Sequence, residues 1–241
     1  MDITQRQREV LMAIIEEFMQ SADEVGSVSL LEKHDFGVSS ATIRNEMVKL
    51  MEEGLLEKSH VSSGRCPTDQ AIRMYVKKEL EEGKTNPIVS IQIRQGIFRE
   101  RFNKDSVTNS VLNLLSEHTK SVTFVILDSI LRYWGLSNLL RYEELDNEKT
   151  LRSIVRIIED PTFLIKLCHK YGGSKPSLLI GEESGLKSLE ECSIAFIKTP
   201  FWKTDEAYVG VLGSKRMDYI KVVTALNEVR KGLQASMQGW S

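Results

Sequence analysis

The stretch from Gly37 to Thr68 restricts the fold of this chain more than any other part of it. It begins with Ser39 and Ser40, residue types that cap helix N-termini. Apolar residues then recur on one helical face, and Gly54 stands where a glycine typically ends a helix. That apolar stripe consists of Ile43, Met47, Leu50 and Met51. The pattern therefore predicts one amphipathic helix with a defined beginning and a defined end.

The opposite face of this helix carries short hydrogen-bonding side chains and cations. Its members are Ser40, Thr42, Arg44, Asn45 and Lys49. Arginine can bind guanine O6 and N7 through two hydrogen bonds, and asparagine can bind adenine N6 and N7 in the same way. We therefore expect Arg44 and Asn45 to read base edges. The alternative is that Asn45 bonds locally and Arg44 contacts only phosphate.

A basic hairpin follows the helix directly. Leu55 and Leu56 begin a strand that continues to His60, a flexible Ser62-Ser63-Gly64 turn follows, and Arg65 starts the return. Helix, stop and hairpin in this order predict a winged helix-turn-helix. The plainer alternative is a small α+β packing unit without a DNA-binding role.

Charge is concentrated around this hairpin. Between Lys58 and Lys78 there are five cations and one carboxylate, whereas the whole chain has a net charge of −2. The attraction of DNA phosphates depends on the charges at the contact and not on the net charge of the chain. We therefore expect Lys58, Arg65 and Arg73 to bind the DNA backbone. The full set of expected DNA contacts is Ser39, Ser40, Thr42, Arg44, Asn45, Lys49, Lys58, His60, Ser63, Gly64, Arg65 and Arg73.

Two domains are expected from the length of 241 residues and the hydrophobic content of 41%. In the first, Thr4 and Gln7 form a capping-box pattern for the first helix, and Ser27 is expected to cap a short second one. The polar stretch from Glu81 to Asn86 marks the boundary. The sequence thus predicts domains at residues 1–83 and 84–241.

The second domain mixes helical and strand patterns. Residues 91–102 are ambiguous between strand and helix, because Ile91 and Ile93 alternate whereas Ile97, Phe98 and Phe102 keep helical spacing, and we favour the helix. Helices are also expected from Val107, over 151–170 as one or two helices interrupted at Pro161, and over about 218–234. Strands are expected over 121–127, 178–180, 194–198 and 207–212. The fold class is therefore α+β.

Several classes of function lack their sequence signals. The three cysteines have no CxxC spacing and the four histidines no metal-ligand spacing, so we expect no disulfide framework, metal site, cofactor or catalytic residue. Signal-peptide and membrane-span patterns are absent as well, which favours a cytoplasmic protein without a membrane partner.

Three local sequence features each allow two interpretations. The loop from Gly181 to Ser188 resembles a phosphate-binding loop, but Leu186 separates the second glycine from the lysine. Cys66 follows Arg65 and is either a redox-sensitive thiol or, as we prefer, a small buried hydrophobic residue. The Lys215-Arg216 pair either binds an anion or acidic partner or is solvated.

Blocks at both ends of the chain resemble the family of the heat-inducible transcription repressor HrcA. The first half contains TQRQREVLMAIIEEF, GVSSATIRNEM, MEEGLLEKSH and SSGRCPTD, and the second half WGLSNLL, IGEES and GVLGSKRMDYIKVV. The resemblance implies a dimeric repressor that binds an inverted-repeat operator on double-stranded DNA and responds to a GroEL-type chaperonin. It also implies a GAF-like second domain.

The chain departs from this family between residues 128 and 134, where the family carries further strands and an inserted dimerisation region. We therefore expect a truncated GAF-like α/β domain, shortened near 128–134. Two other functions stay open: a ligand-sensing transcriptional regulator that uses the second domain, and an enzyme with an accessory winged helix. The first needs a pocket with converging polar groups and the second a convergent catalytic site.

Overall fold

Helices and antiparallel sheets alternate along the chain, which places it in the α+β class. The computed structural model describes residues 3–21, 23–58, 64–82, 87–202 and 204–237. The chain divides into two units, Met1–Gly83 and Lys84–Ser241.

The first unit consists of helices around one apolar core, with a short hairpin. Its elements are α1 (Gln5–Ser21), α2 (Ser27–Lys33), α3 (Ser40–Glu52), β1 (Leu56–Glu57), β2 (Cys66–Pro67) and α4 (Asp69–Glu82). The predicted capping box at the start of α1 is confirmed, since Thr4 N donates to Gln7 Oε1 at 2.8 Å and Gln7 N to Thr4 Oγ1 at 3.2 Å. The fully buried Leu11 and Ile14 of α1 lie in the same core cluster as Ile43 and Leu50 of α3.

The expected cap of α2 was wrong. Gly26 occupies the N-cap position without a side-chain hydrogen bond, and Ser27 is the first helical residue. Ser27 is buried, so its hydroxyl lies in the unit rather than at an exposed helix end. The signal was ambiguous because serine at 27 and serine at 29 both suit a helix start.

The end of α3 is fixed by the backbone of Gly54. This glycine has φ +71°, its N–H donates to Met51 O at 3.0 Å, and Leu55 N donates to Leu50 O at 2.9 Å. These two bonds satisfy carbonyls that the helix leaves unpaired, in the Schellman arrangement. Leu55 is then fully buried, so the chain enters the hairpin from a fixed point.

The hairpin is short and rests on the segment between α1 and α2. Leu56 pairs with Pro67 and Glu57 with Cys66 in an antiparallel register. On its other side the returning strand bonds to Val25, with Val25 N to Arg65 O at 2.9 Å and Arg65 N to Val25 O at 3.0 Å. The sequence indicated the hairpin but not this third partner. The tip, residues 59–63, lies outside the described residues.

The second unit contains a larger sheet with helices on both faces. Its helices are α5 (Pro87–Glu100), α6 (Lys104–Thr119), α7 (Glu148–Glu159), α8 (Thr162–Tyr171) and α9 (Tyr219–Met237). Its strands are β3 (Val122–Leu127), β4 (Ile130–Trp134), β5 (Ser177–Ile180), β6 (Cys192–Phe201) and β7 (Thr204–Ser214). Short 3₁₀ helices at Leu136–Arg141, Glu143–Leu145, Gly181–Ser184 and Lys187–Leu189 connect them.

The sheet has the strand order β4-β3-β7-β6-β5, and every neighbouring pair is antiparallel. One face lies towards α6, where Thr123 Oγ1 donates to Leu112 O at 2.8 Å. The other face contacts α8, where the ring of Tyr208 lies 5.4 Å from that of His169. All six residues of β3 are buried because both faces are covered.

Strand β4 is not among the strands expected from the sequence. The turn between β3 and β4 consists of Asp128 and Ser129, with φ of 53° and 62°. Two-residue hairpin turns of this kind usually carry Asn-Gly or Asp-Gly. Asp-Ser lacks that signature, and the pattern therefore did not indicate a hairpin here.

Replacing Gly54 tests the Schellman ending of α3. No atom lies within 4 Å of a Cβ built at Gly54, so Gly54→Ala adds only backbone strain from the positive φ. We expect the opening free energy of the α3 amides to fall by about 1–2 kcal/mol in native-state hydrogen exchange, and by less for Gly54→Asn. Gly173→Ala, which also meets open space but without a positive φ, is the matched control. Equal effects of Gly54→Ala and Gly173→Ala would contradict the assignment.

Candidate nucleic-acid interface

The start of α3 is held by its first serine. Thr42 N donates to Ser39 Oγ at 3.3 Å, and the hydroxyls of Ser39 and Thr42 lie 3.1 Å apart. The predicted N-cap at Ser39 is confirmed. Two of the residues that the sequence assigned to DNA therefore also bond to each other, while Ser40 is half-buried in the first turn. Their hydroxyls retain acceptor and donor capacity, because a hydroxyl has one donor and two acceptor sites.

The face of α3 opposite the core is exposed. Ile43, Met47 and Leu50 are at most 2% exposed, and the side chains of Arg44 and Asn45 on the other side are exposed. A helical spacing of i, i+4 and i+7 places Ala41, Asn45 and Val48 on one line along the middle of that exposed face. Arg44 and Lys49 flank this line on its two sides.

Two exposed apolar residues of this face, Ala41 and Val48, were not among the DNA contacts expected from the sequence. Val48 is 42% exposed, although it is a large apolar residue. Apolar side chains on a face that meets the major groove can contact the C5-methyl group of thymine. The i, i+4, i+7 relation of Ala41, Asn45 and Val48 is visible in the sequence, but only polar side chains were expected to contact bases.

Lys49 has an intrahelical partner. Its Nζ lies 3.5 Å from Glu46 Oε1, and the Glu46 side chain is only 11% exposed whereas that of Lys49 is 55% exposed. Because Glu46 lies this close, its carboxylate offsets part of the cationic charge of Lys49 on this side of α3. Arg44 is thus the stronger candidate for an anionic or guanine ligand.

The hairpin places its candidate residues around the backbone of Val25. A Cβ at Gly64 would lie 2.8 Å from Val25 O, so only glycine fits this close approach. Arg65 is half-buried and donates from Nη1 to Gly64 O at 3.0 Å, whereas Lys58 at the end of β1 is exposed. His60 and Ser63 lie outside the described residues. Cys66 is half-buried in β2, so its exposure does not decide between a redox-sensitive thiol and a small buried hydrophobic residue.

Helix α4 is tied to the end of α3. Thr68 caps α4 through a bond from Ala71 N to Thr68 Oγ1 at 3.4 Å, and the same hydroxyl donates to Gly54 O at 2.8 Å. Arg73, one turn into α4, is half-buried. The structure therefore fixes the hairpin base, the α3 terminus and the start of α4 relative to one another.

The Lys215-Arg216 pair is neither solvated nor open to an external anion. Arg216 binds Glu144 through two contacts, Nε to Oε1 at 2.8 Å and Nη2 to Oε2 at 3.0 Å, and their side chains are 10% and 15% exposed. Lys215 Nζ lies 3.4 Å from Glu191 Oε2. The acidic partner of this pair is therefore inside the chain itself.

The loop from Gly181 to Ser188 does not form a phosphate cradle. It consists mainly of two short 3₁₀ helices, and Glu183 Oε2 accepts a hydrogen bond from Ile180 N at 2.8 Å. A carboxylate thus occupies the place at this backbone N–H that a bound anion would need.

Within the described ranges, no group of three His, Cys, Asp or Glu side chains is arranged to hold a metal ion. None of the helices described there is long and apolar enough to cross a membrane.

Comparison with known proteins identifies a family that matches most of this chain. A family model described as "HrcA protein C terminal domain" matches residues 38–223, which is more than half of the chain. A heat-inducible transcription repressor HrcA of Leifsonia xyli subsp. xyli is 38% identical over 132 residues, covering 54% of this chain and 38% of that relative. The corresponding repressor of Clostridium tetani is 38% identical over 130 residues, covering 54% and 37%.

The chain is shorter than its full-length relatives, and its match covers well under half the length of those first two. The heat-inducible transcription repressor HrcA of Bacillus pumilus aligns over 340 positions at 26% identity, with 98% of each chain covered. Since this chain has 241 residues, many aligned positions of that relative have no counterpart here. A solved structure described as a hypothetical protein at 2.2 Å resolution has a TM-score of 0.79 at 20% identity, covering 99% of both chains. That likeness shows the fold alone.

The Glu144–Arg216 pair predicts an acid-sensitive second unit. Burial acts to raise the pKa of Glu144, but hydrogen bonds from Arg216 and Ser214 outweigh it and hold the pKa below 4.5. A carboxyl with a lowered folded-state pKa stabilises the fold above its unfolded pKa, and this contribution is lost as pH falls through the folded value. We expect Glu144→Gln to cost about 3 kcal/mol at pH 7 and to flatten the loss of stability below pH 4.5.

Tryptophan fluorescence during urea unfolding measures this effect, because Trp134, Trp202 and Trp240 all belong to the second unit. Glu148→Gln is the matched control, since Glu148 and its partner Arg152 are 76% and 70% exposed. Such a surface pair contributes little. An equal pH profile for Glu144→Gln and the unchanged chain would remove Glu144 as the cause.

Proposed function

The chain belongs to the HrcA family, and from that premise we propose that it is a sequence-specific DNA-binding repressor of transcription. The observation that carries the proposal is the exposed face of α3, where Arg44 and Asn45 lie on a helix that is capped at both ends. The matched relatives carry the name heat-inducible transcription repressor. Sequence reading by hydrogen bonds in the major groove requires such a rigid helix with polar side chains.

In this proposal the first unit is a winged helix-turn-helix. Helices α2 and α3 form the helix-turn-helix, α3 enters the major groove, and the hairpin of β1 and β2 is the wing. The order of elements supports it, including the short strand-like contact of Val25 between α1 and α2. Lys58, Arg65 and Arg73 then contact phosphates around the site, and Ser39, Ser40, Thr42 and Lys49 border the bases.

The second unit is proposed to be a truncated GAF-like domain. A central antiparallel sheet between two helical layers supports this assignment. The tight turn at Asp128 and Ser129 supports placing the shortened segment near 128–134, because two residues suffice there to reverse the chain. We extend the proposal to a homodimer in the cytoplasm that binds an inverted-repeat operator and responds to a GroEL-type chaperonin. Two-fold symmetric proteins match inverted repeats by geometry.

A gel shift with two DNA probes tests the repressor assignment. The first probe is an operator selected by this protein from random duplexes, and the second is a scrambled duplex of equal composition. We expect Arg44→Ala and Asn45→Ala each to lose about 1–3 kcal/mol of affinity for the operator, and much less for the scrambled duplex, because each removes a two-bond contact with a base.

Lys58→Ala is the matched control for this experiment. Lys58 is exposed at the end of β1, and its loss should weaken both probes alike and lower the salt slope by about one. Failure of the unchanged chain to select any duplex would refute the repressor proposal. Equal losses on both probes for Arg44→Ala and Asn45→Ala would leave DNA binding intact but make these residues phosphate contacts.

Val48 provides a separate test of base reading. Replacing single thymines of the operator by deoxyuridine removes only the C5-methyl group, and we expect one such position to lose about 0.8 kcal/mol with the unchanged chain. With Val48→Ala the same replacement should cost clearly less, because most of the methyl contact is already gone. Gel-shift titration of the four combinations measures the coupling. Additive losses, or no sensitive thymine, would exclude Val48 as a methyl reader.

A further inference from the structure

Helix α5 exposes a row of large apolar side chains. Ile88 is 62% exposed, Ile91 49% and Phe98 56%, and Phe102 in the turn directly after the helix is 71% exposed. Ile88, Ile91, Phe98 and the exposed Gln95 recur at intervals of three and four within α5, which places them on one stripe. The ring of Phe102 lies beside that of Phe98, because the Arg101 guanidinium covers both rings, at 3.8 Å and 4.1 Å. We call Ile88, Ile91, Gln95, Phe98 and Phe102 the α5 stripe. Clustered exposure of this kind marks interaction surfaces, unlike single exposed apolar residues.

The other side of α5 is already used inside the unit. Val89, Ile93 and Ile97 are at most 7% exposed, and α5 packs on α6 and α9 through that side. The helix is therefore apolar on two faces, and within the described part of the second unit only one of these faces is buried. Leaving the second face exposed to water is unfavourable, because burying apolar area lowers the free energy by about 25 cal/mol per Å².

We propose that the α5 stripe pairs with the same stripe of a second copy of this chain, antiparallel and around a two-fold axis at Gln95. This inference deepens the proposed homodimer by giving it a surface. An interface of two identical chains around a two-fold axis must be self-complementary. The residues of the α5 stripe alone therefore determine whether a second copy of the chain fits against it.

The spacing of the α5 stripe is nearly the same in both directions. Ile88 lies seven residues before Gln95 and Phe102 seven after it, while Ile91 lies four before and Phe98 three after. In an antiparallel pair, Phe102 of one copy then faces Ile88 of the other, and Phe98 faces Ile91. Each aromatic ring meets an aliphatic side chain, and the alternation of three and four is that of a coiled-coil seam.

The charges beside the stripe permit this pairing. Arg94 of the two copies would meet near the axis, but Arg94 Nε already lies 3.0 Å from Glu228 Oε2, a carboxylate that is 8% exposed. Arg99 would lie opposite Gln92. Arg101 stacks on its own neighbours, 3.8 Å from the ring of Phe98 and 4.1 Å from that of Phe102. The cations therefore lie beside rings, amides or a carboxylate instead of facing uncompensated cations.

The available area fits a weak dimer. The four apolar side chains of the α5 stripe expose roughly 400–500 Å² per copy, about half of the 800 Å² that a standard interface buries on each partner. A groove of about 630 Å³ between α5 and α9 adjoins the stripe, and it is open because Gly232, Ala235 and Ser236 of α9 are small. Side chains of the second copy can enter this groove and supply further contact. We expect dissociation in the micromolar range.

Sedimentation equilibrium of the full chain without DNA tests the pairing. We expect a mass near twice 27.4 kDa at tens of micromolar and near 27.4 kDa for the double variant Ile91→Glu with Phe98→Glu, which places four carboxylates in the seam. Ile130→Glu with Leu140→Glu is the matched control, because these residues are 63% and 69% exposed on other elements. Circular dichroism and melting temperature establish that both variants stay folded. A monomer at 100 μM, or a dimer that survives in the α5 variant, would overturn the proposal.

Disulfide trapping tests the antiparallel arrangement. Under mild oxidant, Gln95→Cys should form a covalent dimer, since residue 95 of both copies lies at the axis. Ile88→Cys should not, because its two copies lie at opposite ends of the helix pair. The unchanged chain with Cys66, Cys168 and Cys192 controls for native thiols. Trapping at residue 88 but not at 95 would refute the arrangement. Both experiments omit DNA, so a failed repressor proposal leaves their outcomes unaffected.

Discussion

The burial of one side of α3 is the constraint on which the first unit depends. Ile43 and Leu50 are fully buried, and Met47 is 2% exposed, in the core that α3 shares with α1. Since side chains on a helix keep fixed angular positions, burying these three determines which residues face water. The Ser39 cap and the Gly54 ending then fix where the helix begins and ends. A face that reads a duplex needs all three conditions, because a rotation or shift of α3 would change every contact at once.

Local signals predicted this part of the molecule well. The Ser39 cap, the Thr4–Gln7 capping box and the glycine ending depend on neighbours within a few residues, and each has a characteristic residue type. In the second unit, periodicity indicated helices over 151–170 with a break at Pro161, which agree with α7 and α8. It favoured a helix over a strand at 91–102, where α5 (Pro87–Glu100) begins one turn earlier. Because the apolar spacing of these segments persists over several turns, it was easier to recognise them as helices than to assign them a function.

Features that join distant segments could not be predicted from local patterns. The contact of Val25 with Arg65 joins residues forty positions apart, and that of Glu144 with Arg216 joins residues seventy-two apart. Neither glutamate nor arginine signals its partner in sequence, so Lys215-Arg216 looked like an open basic loop. Strand β4 escaped notice because its turn, Asp128-Ser129, takes positive φ without glycine. In the candidate site the same limit applied to Val48, because its exposure depends on which face of α3 the core buries.

Symmetry connects the two proposals for this chain. A single α3 presents only a few side chains to base edges, and each two-bond contact contributes about 1–3 kcal/mol of discrimination. Two copies related by a two-fold axis read the same short sequence twice in opposite directions, which is the definition of an inverted repeat. A weak pairing through the α5 stripe suits this arrangement, because the operator itself then favours the dimer by binding both copies. If both proposals hold, affinity for DNA and assembly of the protein are thermodynamically linked: binding of the operator favours the dimer, and dimerisation raises the affinity for the operator by the same factor.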